Sequence, residues 1–245
     1  MNCDIKAVVL GAGKGTRISS DGEGLPKVMR MAGKKPLLAH VLDNLDFIDK
    51  KDVILVVGFM KEKITAAFPD YPHAVQYEQL GTGHAVKAAE SLLKEFDGDV
   101  LVCYGDMPLI KRNTYRTLIA QHRRENNACT ILTGRLKEKM SYGRIIRDNA
   151  GAFDRIVEQK DCTEQEDKIR EYNSGVYVFK CRLLLDALKR LNNQNAQGEY
   201  YITDIPGILK NDSRKVSICT SMQAEELLGV NTKEQLAKAA RLLEC

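Results

Sequence analysis

A glycine-rich loop with cationic side chains follows the first apolar run of the chain, residues 7–10. Alternate glycines remove Cβ atoms, so backbone N–H groups can approach an anion closely and adopt conformations that other residues avoid. The glycines are Gly11, Gly13 and Gly15, and the cations are Lys14, Arg17 and Lys27. Because backbone donors and mobile positive charge together suit a triphosphate, the loop predicts a triphosphate-binding site.

Two better-known phosphate loops do not fit this segment. The dinucleotide motif G-x-G-x-x-G and the P-loop both require glycine at the position where this chain has Thr16. A purely structural interpretation stays open, in which the glycines form a tight turn after a strand and the cations are solvated.

A second candidate is Asp106, which follows the apolar run Asp99–Tyr104 and precedes Pro108. Its carboxylate should emerge at the rim of a sheet, and a carboxylate oxygen beside a triphosphate is a natural Mg²⁺ ligand. The alternative is that Asp106 caps a helix that begins after Pro108.

A polar segment, residues 76–83, lies at the end of the third predicted strand. The side-chain amides of Gln76 and Gln79 offer paired donors and acceptors that suit the edge of a pyrimidine. Gly81 allows the backbone to approach a base or ribose closely. Thr82 is expected to cap the next helix, and a polar loop with such a cap is the alternative interpretation.

Apolar runs and helical periodicities predict the elements that must position these groups. Strands are predicted at residues 7–10, 53–58, 74–77, 99–104, 127–135, 143–147, 152–158, 172–179, 216–219 and 224–228. Helices are predicted at residues 36–47, 61–68, 82–96, 180–191 and 231–243. The alternation in the first half predicts an α/β fold with a doubly wound, mostly parallel sheet. Since ligands bind beyond the carboxyl ends of such strands, the candidate segments should converge on one ligand.

The composition excludes several classes of function. The 245-residue chain is 44% hydrophobic, with a net charge of only +4 and dispersed cations, which argues against a nucleic-acid-binding surface. Seven scattered cysteines without a C-x-x-C pair indicate free thiols in a reducing cytosol. No apolar segment is long enough to be a signal or to span a membrane, so a cytoplasmic location is expected.

Five segments together resemble the sugar-nucleotide pyrophosphorylases. They are residues 10–17 with Leu25-Pro26-Lys27, residues 76–85, residues 104–110, residues 142–144 with 156–161, and residues 195–204. Their order and spacing over nearly the whole chain are similar to the uridyltransferase domains of bacterial N-acetylglucosamine-1-phosphate uridyltransferases. The resemblance implies a Rossmann-like nucleotidyltransferase fold with an interleaved sugar-binding lobe.

The resemblance also implies an activity, which is to join UTP and N-acetylglucosamine 1-phosphate to give UDP-N-acetylglucosamine, a cell-wall precursor, and pyrophosphate. It implies that Arg17 and Lys27 are catalytic and that Asp106 and Asn231 hold Mg²⁺. The implied substrate contacts are Leu10, Gly11, Ala12, Gly13, Gly15, Thr16, Gln76, Gln79, Gly81, Thr82, Tyr104, Gly105, Gly143, Glu158, Asn173, Gly175 and Tyr201.

Alternatives to these roles stay open. Asn231 can instead cap the last helix, and the sequence does not decide whether Tyr200 or Tyr201 faces the sugar. Competing functions are a nucleotidyltransferase for another sugar 1-phosphate, such as glucose 1-phosphate, and a sugar-nucleotide-binding protein without activity.

The chain departs from the family pattern at three places. Gly11 replaces the usual alanine, and the segment 18–24 is longer than the pattern. The chain stops at Cys245 without the hexapeptide repeats that form an acetyltransferase β-helix in bifunctional relatives. We therefore expect a single nucleotidyltransferase domain over residues 1–245, and a monomer or small homo-oligomer rather than a β-helix trimer.

Overall fold

Strands and helices alternate along the chain in the computed structural model, which describes residues 5–13, 15, 24–220 and 223–244. The strands are β1 (Ile5–Leu10), β2 (Met31–Ala32), β3 (Lys35–Pro36), β4 (Val53–Val57), β5 (His73–Val75), β6 (Asp99–Tyr104), β7 (Cys129–Arg135), β8 (Arg144–Arg147), β9 (Phe153–Val157), β10 (Glu171–Lys180) and β11 (Val216–Cys219). The α-helices are α1 (Leu37–Asn44), α2 (Lys61–Ala67), α3 (Thr82–Ala88), α4 (Glu90–Leu93), α5 (Arg112–Arg124), α6 (Cys181–Leu188), α7 (Ile205–Asn211) and α8 (Lys233–Leu243).

One large sheet organises the fold, with the strand order β11-β7-β10-β6-β1-β4-β5. Strand β1 pairs in parallel with β4 and β6, β4 pairs in parallel with β5, and β7 pairs in parallel with β11. Strand β10 is antiparallel to both of its neighbours, β6 and β7. The antiparallel hairpin of β8 and β9 joins the sheet at the start of β10. The predicted α/β fold with a mostly parallel sheet is confirmed.

Helices cover both faces of this sheet, because its central strands are apolar on both sides. Val8 and Leu10 of β1 pack into a core with α3, α6 and α7. Ala7 and Val9 point to the opposite face and pack with α1 and α5. A smaller cluster joins α8 to β2. Within the described ranges, no helix is long and apolar enough to cross a membrane.

The strand directions determine which loops meet. The carboxyl ends of β1, β4, β5 and β6 lie at one edge of the sheet because these strands are parallel. Strand β10 runs the opposite way, and Tyr177 in its second half pairs with Val102 of β6. Gly175 consequently lies beside Tyr104 at the end of β6, so the first half of β10 belongs to the same edge.

Two predicted elements differ in kind from the observed ones, and two observed helices were not among those predicted. The helix expected over residues 82–96 is interrupted at Ala89, whose ψ of 0° and bond to the Val86 carbonyl form a tighter turn. The strand expected at residues 224–228 is a 3₁₀ turn, Ala224–Leu227, because Gln223 and Glu226 form a capping box. Helices α5 and α7 were not predicted. Leu118 of α5 packs on one face of the sheet, and Ile205 and Leu209 of α7 pack on the other.

Candidate active site

A cavity of about 650 Å³ opens at the carboxyl edge of the sheet. The sequence-predicted residues that line it are Leu10, Gly11, Ala12, Gly13, Lys27, Gln76, Gln79, Gly81, Thr82, Tyr104, Asp106, Gly143, Glu158, Asn173, Gly175 and Asn231. They come from the loops after parallel strands, from the start of β10, and from the segment before α8. The topology thus brings together residues that are more than 200 positions apart in the chain, such as Lys27 and Asn231.

A cationic side chain lies between two oxygen-bearing side chains in this cavity. The Lys27 ammonium donates hydrogen bonds to the Asp106 carboxylate and, at 2.9 Å, to Asn231 Oδ1. The side chains of Lys27 and Asp106 are only 16% and 13% exposed. At this depth solvent screens the two charges only weakly, so their attraction holds the two side chains together.

The same two oxygens fit a divalent metal ion. A carboxylate and an amide oxygen are hard ligands, and Mg²⁺ is often held by one or two protein oxygens with phosphate oxygens and waters completing its shell. The Lys27 ammonium already places a cation between them. In the described part of the chain, no group of three or more His, Cys, Asp or Glu side chains could hold a metal by itself. A metal here would therefore complete its shell with waters or with the phosphates of a ligand.

Backbone contacts and the start of α8 fix the position of Asn231. The Val230 N–H donates to the Asp106 carbonyl at 3.0 Å, and the Asn231 N–H donates to Gln235 Oε1 at 2.8 Å. Thr232 is the N-cap of α8, since its hydroxyl accepts from the Gln235 N–H at 3.2 Å. The alternative in which Asn231 caps this helix is therefore wrong, and its side chain is free to face the cavity.

The structure also decides the capping alternative for Asp106. Helix α5 begins at Arg112 and its N-cap is Lys111, so Asp106 is not a helix cap. Its main chain instead joins the end of β6 to the segment before α8.

The segment after β5 forms the wall next to the glycine loop. The Gln76 amide donates to the Gly81 carbonyl at 3.0 Å and closes this segment on itself. Gly81 has a φ of +112°, and an added Cβ would lie 2.6 Å from the Tyr200 carbonyl oxygen. Only glycine fits this position without displacing the facing backbone.

Thr82 does not cap helix α3, contrary to expectation. Gly81 occupies the N-cap position and Thr82 is the first helical residue. The Thr82 hydroxyl instead accepts a hydrogen bond of 3.1 Å from the Ile202 N–H. Thr82 therefore holds the segment 195–204 against the nucleotide-side wall.

The opposite wall carries the residues expected to contact the sugar. Asn173 Nδ2 donates to the Tyr177 hydroxyl at 2.7 Å, and its Oδ1 accepts from the Gly175 N–H at 3.1 Å, which fixes the orientation of the amide. Gly175 has a φ of +78°, and an added Cβ would lie 2.3 Å from the Tyr104 ring. Asn173 and the Tyr104 ring therefore both lie against Gly175 in this wall.

Glu158 lies at the end of β9 in this wall, and its Oε1 accepts a hydrogen bond of 3.1 Å from the Thr203 hydroxyl. Burial raises the pKa of Glu158, and the negative charges of Asp161 and Asp204 add to the effect. The carboxyl group can accept hydrogen bonds from sugar hydroxyls at the open side of the cavity.

Of the expected site residues that the structure describes, three do not line the cavity. Tyr201 is buried, and its hydroxyl accepts from Gln197 Nε2 at 2.8 Å. Gly105 packs against Leu38 and Val28 beneath the site. Gly15 has a φ of +61° and lies against Lys27, where an added Cβ would be 2.5 Å from the lysine Cβ.

Lys14, Thr16 and Arg17 lie outside the described residues, so the roles expected for Thr16 and Arg17 stay predictions.

The cavity also has lining residues that the sequence reasoning did not select. They are Val28, Ala85, Met107, Lys139, Met140, Ser141, Tyr142, Ser174, Glu199, Gly229, Thr232 and Gln235. Within the segment 195–204, Glu199 lines the cavity, whereas Tyr200 and Tyr201 do not. Tyr142 directly precedes Gly143, which the sequence did predict to contact substrate, so its position in the chain could have indicated that it lines the cavity.

Comparison with known proteins identifies the fold and the family. The profile of the MobA-like NTP transferase domain matches residues 7–204. The chain belongs to the MobA-like NTP transferase family. The matched region includes the glycine loop, Asp106 and the sugar-side wall, and it ends within the segment that packs on Thr82.

Relatives of this NTP transferase carry the same name in several bacteria. The bifunctional protein GlmU of Clostridium beijerinckii is 46% identical over 240 residues, which are 97% of this chain and 52% of that protein. The bifunctional protein GlmU of Limosilactobacillus fermentum is 43% identical, with the same coverage of 97% and 52%. The family resemblance expected from the sequence is confirmed, and the chain spans about half the length of these relatives.

The fold of the NTP transferase is also found in a solved structure. A Bacillus anthracis protein assigned as a glucose-1-phosphate thymidylyltransferase, crystallised with sucrose, superposes with a TM-score of 0.76 at 18% identity. The match covers 97% of this chain and 94% of that protein. The expected nucleotidyltransferase fold is thereby confirmed.

Proposed function

We propose that this chain transfers a uridylyl group from UTP to N-acetylglucosamine 1-phosphate, giving UDP-N-acetylglucosamine and pyrophosphate, with Mg²⁺ as cofactor. The observation that carries the proposal is the cluster of Lys27, Asp106 and Asn231 between the glycine loop and the sugar-side wall. The relatives named GlmU support the same assignment.

The reaction needs no general base from the protein. An ionised oxygen of the sugar 1-phosphate attacks the α-phosphorus of UTP and forms a new P–O bond. The bond from the α-phosphorus to the oxygen that bridges to the β-phosphate breaks, and its electron pair leaves with pyrophosphate. Catalysis therefore consists of alignment and charge neutralisation.

Each charged group has a place in this scheme. Lys27 neutralises the attacking and α-phosphates, and Arg17 with the backbone of Gly13 holds the leaving pyrophosphate. Asp106 and Asn231 hold Mg²⁺, which supplies charge neutralisation at the phosphate oxygens when it is bound.

The two walls of the cavity divide the recognition of the substrates. Gln76 and Gln79 belong to the wall that binds uracil and ribose. The hydrogen bond from the Gln76 amide to the Gly81 carbonyl fixes the shape of that wall. Asn173 and Glu158 face the sugar, where the fixed amide suits an N-acetyl group and the carboxyl suits a hydroxyl.

A cytoplasmic location belongs to the same proposal. The described cysteines, Cys103, Cys129, Cys162, Cys181 and Cys219, are free thiols, which is typical of a reducing compartment.

Pyrophosphate release tests the proposal directly. Purified protein is incubated with UTP and Mg²⁺ and, in parallel, N-acetylglucosamine 1-phosphate, glucosamine 1-phosphate or glucose 1-phosphate. We expect release with the N-acetylated sugar, because the site offers a fixed amide beside Glu158. The matched control is Asp106→Asn, which keeps the shape of the side chain but removes its charge.

The other outcomes of this assay are equally informative. Pyrophosphate release with only a different sugar 1-phosphate would support the proposed reaction but contradict the assignment of N-acetylglucosamine 1-phosphate as the substrate. The absence of pyrophosphate release with all three sugars and several nucleotides would contradict the proposed activity. It would favour a protein that only binds nucleotide sugars.

A further inference from the structure

One hydrogen bond links the sugar-side wall of the cavity to the loop that carries Asn231, and this bond has no part in the mechanism above. The Gly229 N–H donates to the Tyr142 hydroxyl at 2.9 Å, across 87 residues of sequence. Tyr142 lies in the segment 138–143, which connects β7 to β8 and lines the sugar side. Gly229 begins the loop Gly229–Asn231, which carries the proposed metal ligand.

The segment 138–143 is anchored within the sugar-side wall. The Tyr172 hydroxyl accepts from the Met140 N–H at 3.3 Å and donates to the Glu138 carbonyl at 3.0 Å. The fully buried Arg144 donates to the Tyr142 carbonyl, and its guanidinium lies 5.0 Å from the Tyr172 ring centroid. Tyr142 therefore projects from a well-held base.

The Gly229–Asn231 loop, in contrast, is held at each of its residues by a different part of the fold. Val230 bonds to the main chain of Asp106 and Asn231 bonds to the side chain of Gln235. The contact of Gly229 is with Tyr142, and an added Cβ at Gly229 would lie 3.2 Å from that hydroxyl. The close approach leaves little room for the loop to shift while the contact is kept.

We propose that Tyr142 is a positioning residue whose hydroxyl fixes the Gly229–Asn231 loop and thereby sets the place of Asn231 Oδ1 beside Asp106. This inference rests on the proposed function, because it takes Asn231 as a metal ligand. Its consequence is that the sugar-side segment and the metal position are coupled.

The test compares two Tyr→Phe variants that differ in one contact. Tyr142→Phe keeps the ring, which packs at 83° against Tyr172, and removes the bond to Gly229. Tyr172→Phe removes the anchors of Met140 and Glu138 but has no hydrogen bond to the Gly229–Asn231 loop. Mn²⁺ binding to the unliganded proteins is followed by electron paramagnetic resonance, and kcat and KM for the sugar 1-phosphate are measured separately.

We expect Tyr142→Phe to weaken Mn²⁺ binding about fivefold, the effect of one hydrogen bond on the order of 1 kcal/mol. Its kcat should fall at limiting metal and recover at saturating metal, with an unchanged KM for the sugar. Tyr172→Phe should raise that KM and weaken Mn²⁺ binding by less than Tyr142→Phe does, because it keeps the bond to Gly229. Melting temperatures of both variants report whether they are folded.

Two results separate the inference from the proposed function. If Asp106→Asn loses Mn²⁺ binding but Tyr142→Phe binds as the wild type does, Tyr142 is not a positioning residue and the metal site stands. If Asp106→Asn binds Mn²⁺ as the wild type does, the metal assignment itself fails.

Discussion

The Lys27 ammonium occupies the space between Asp106 and Asn231, where a divalent cation is proposed to bind. A divalent cation bound to the same oxygens would compete with the ammonium, because two positive charges repel strongly at low solvent exposure. We therefore expect the Lys27 ammonium to move away when a metal binds. The released lysine can then reach a phosphate oxygen, so metal and triphosphate should bind cooperatively.

Replacing Lys27 tests this exchange at the level of one residue. Lys27→Met keeps the stem that packs on Gly15 and removes the charge. We expect Mn²⁺ to bind the unliganded variant several-fold more tightly, because no internal cation competes. Turnover should fall by about 100-fold or more, as is typical when an electrostatic contact to the transition state is removed. Mn²⁺ titration and pyrophosphate release measure the two effects.

Lys27→Arg is the matched control for this prediction. It retains the positive charge, so its Mn²⁺ affinity should stay at or below the wild-type value. Weaker Mn²⁺ binding by Lys27→Met than by the wild type would contradict the exchange.

At the scale of elements, the segment 195–204 joins the two walls of the cavity. It contacts the nucleotide side through the bond from the Ile202 N–H to Thr82 and the sugar side through the bond from Thr203 to Glu158. Asp204 follows these contacts at the start of α7. Burial, and then the charge of Asp161, raise the pKa of Asp204 from its ordinary 3.8 to about 6.

This raised pKa predicts a pH-dependent stability. Since the folded pKa of Asp204 is above the unfolded value, its contribution to stability is present below pH 3.8 and is lost as the pH rises through about 6. Asp204→Asn should therefore gain stability relative to the wild type, by about 1 kcal/mol after allowance for partial exposure, between pH 4.5 and pH 7.5. Urea unfolding at both pH values measures the difference.

Asp212→Asn is the control for this effect. The hydrogen bond with Arg190 lowers the pKa of the exposed Asp212, so its contribution to stability is already complete above pH 3.8. The stability of Asp212→Asn relative to the wild type should therefore be the same at pH 4.5 and pH 7.5. An Asp204→Asn variant whose stability relative to the wild type is the same at both pH values would contradict the burial of this carboxyl as the cause.

For the molecule as a whole, the cavity is built from parts that are distant in sequence, and ligands that contact several of them should stabilise the fold. UTP with Mg²⁺ at about 100 times its dissociation constant adds about 2.7 kcal/mol of unfolding free energy. For a domain of this size, that corresponds to a rise of about 5–10 °C in Tm. Thermal unfolding with and without both ligands measures it.

Asp106→Asn separates the metal contribution in this experiment. The variant should lose the part of the Tm increase that requires Mg²⁺ and keep any part that UTP alone produces. An unchanged Tm of the wild type with UTP and Mg²⁺ would contradict the assignment of the cavity as a triphosphate site.

The sequence by itself determined the local features of this protein. Strands β6 and β11 begin and end where the sequence pattern predicts. For the central strand β6, burial on both faces requires a continuous apolar run. The glycine loop and Asp106 could be placed at strand ends for the same reason. Their convergence follows from the rule that parallel strands share a carboxyl edge.

The tertiary structure decided what depends on contacts between distant segments. The antiparallel direction of β10 brings Asn173 and Gly175 to the edge of the parallel strands, and no local pattern encodes that direction. The burial of Tyr201, the bond from Gly229 to Tyr142, and the place of the Lys27 ammonium likewise join residues through packing. Periodicity reports which side of an element is buried, whereas the partner of each side chain is fixed only when the elements pack together.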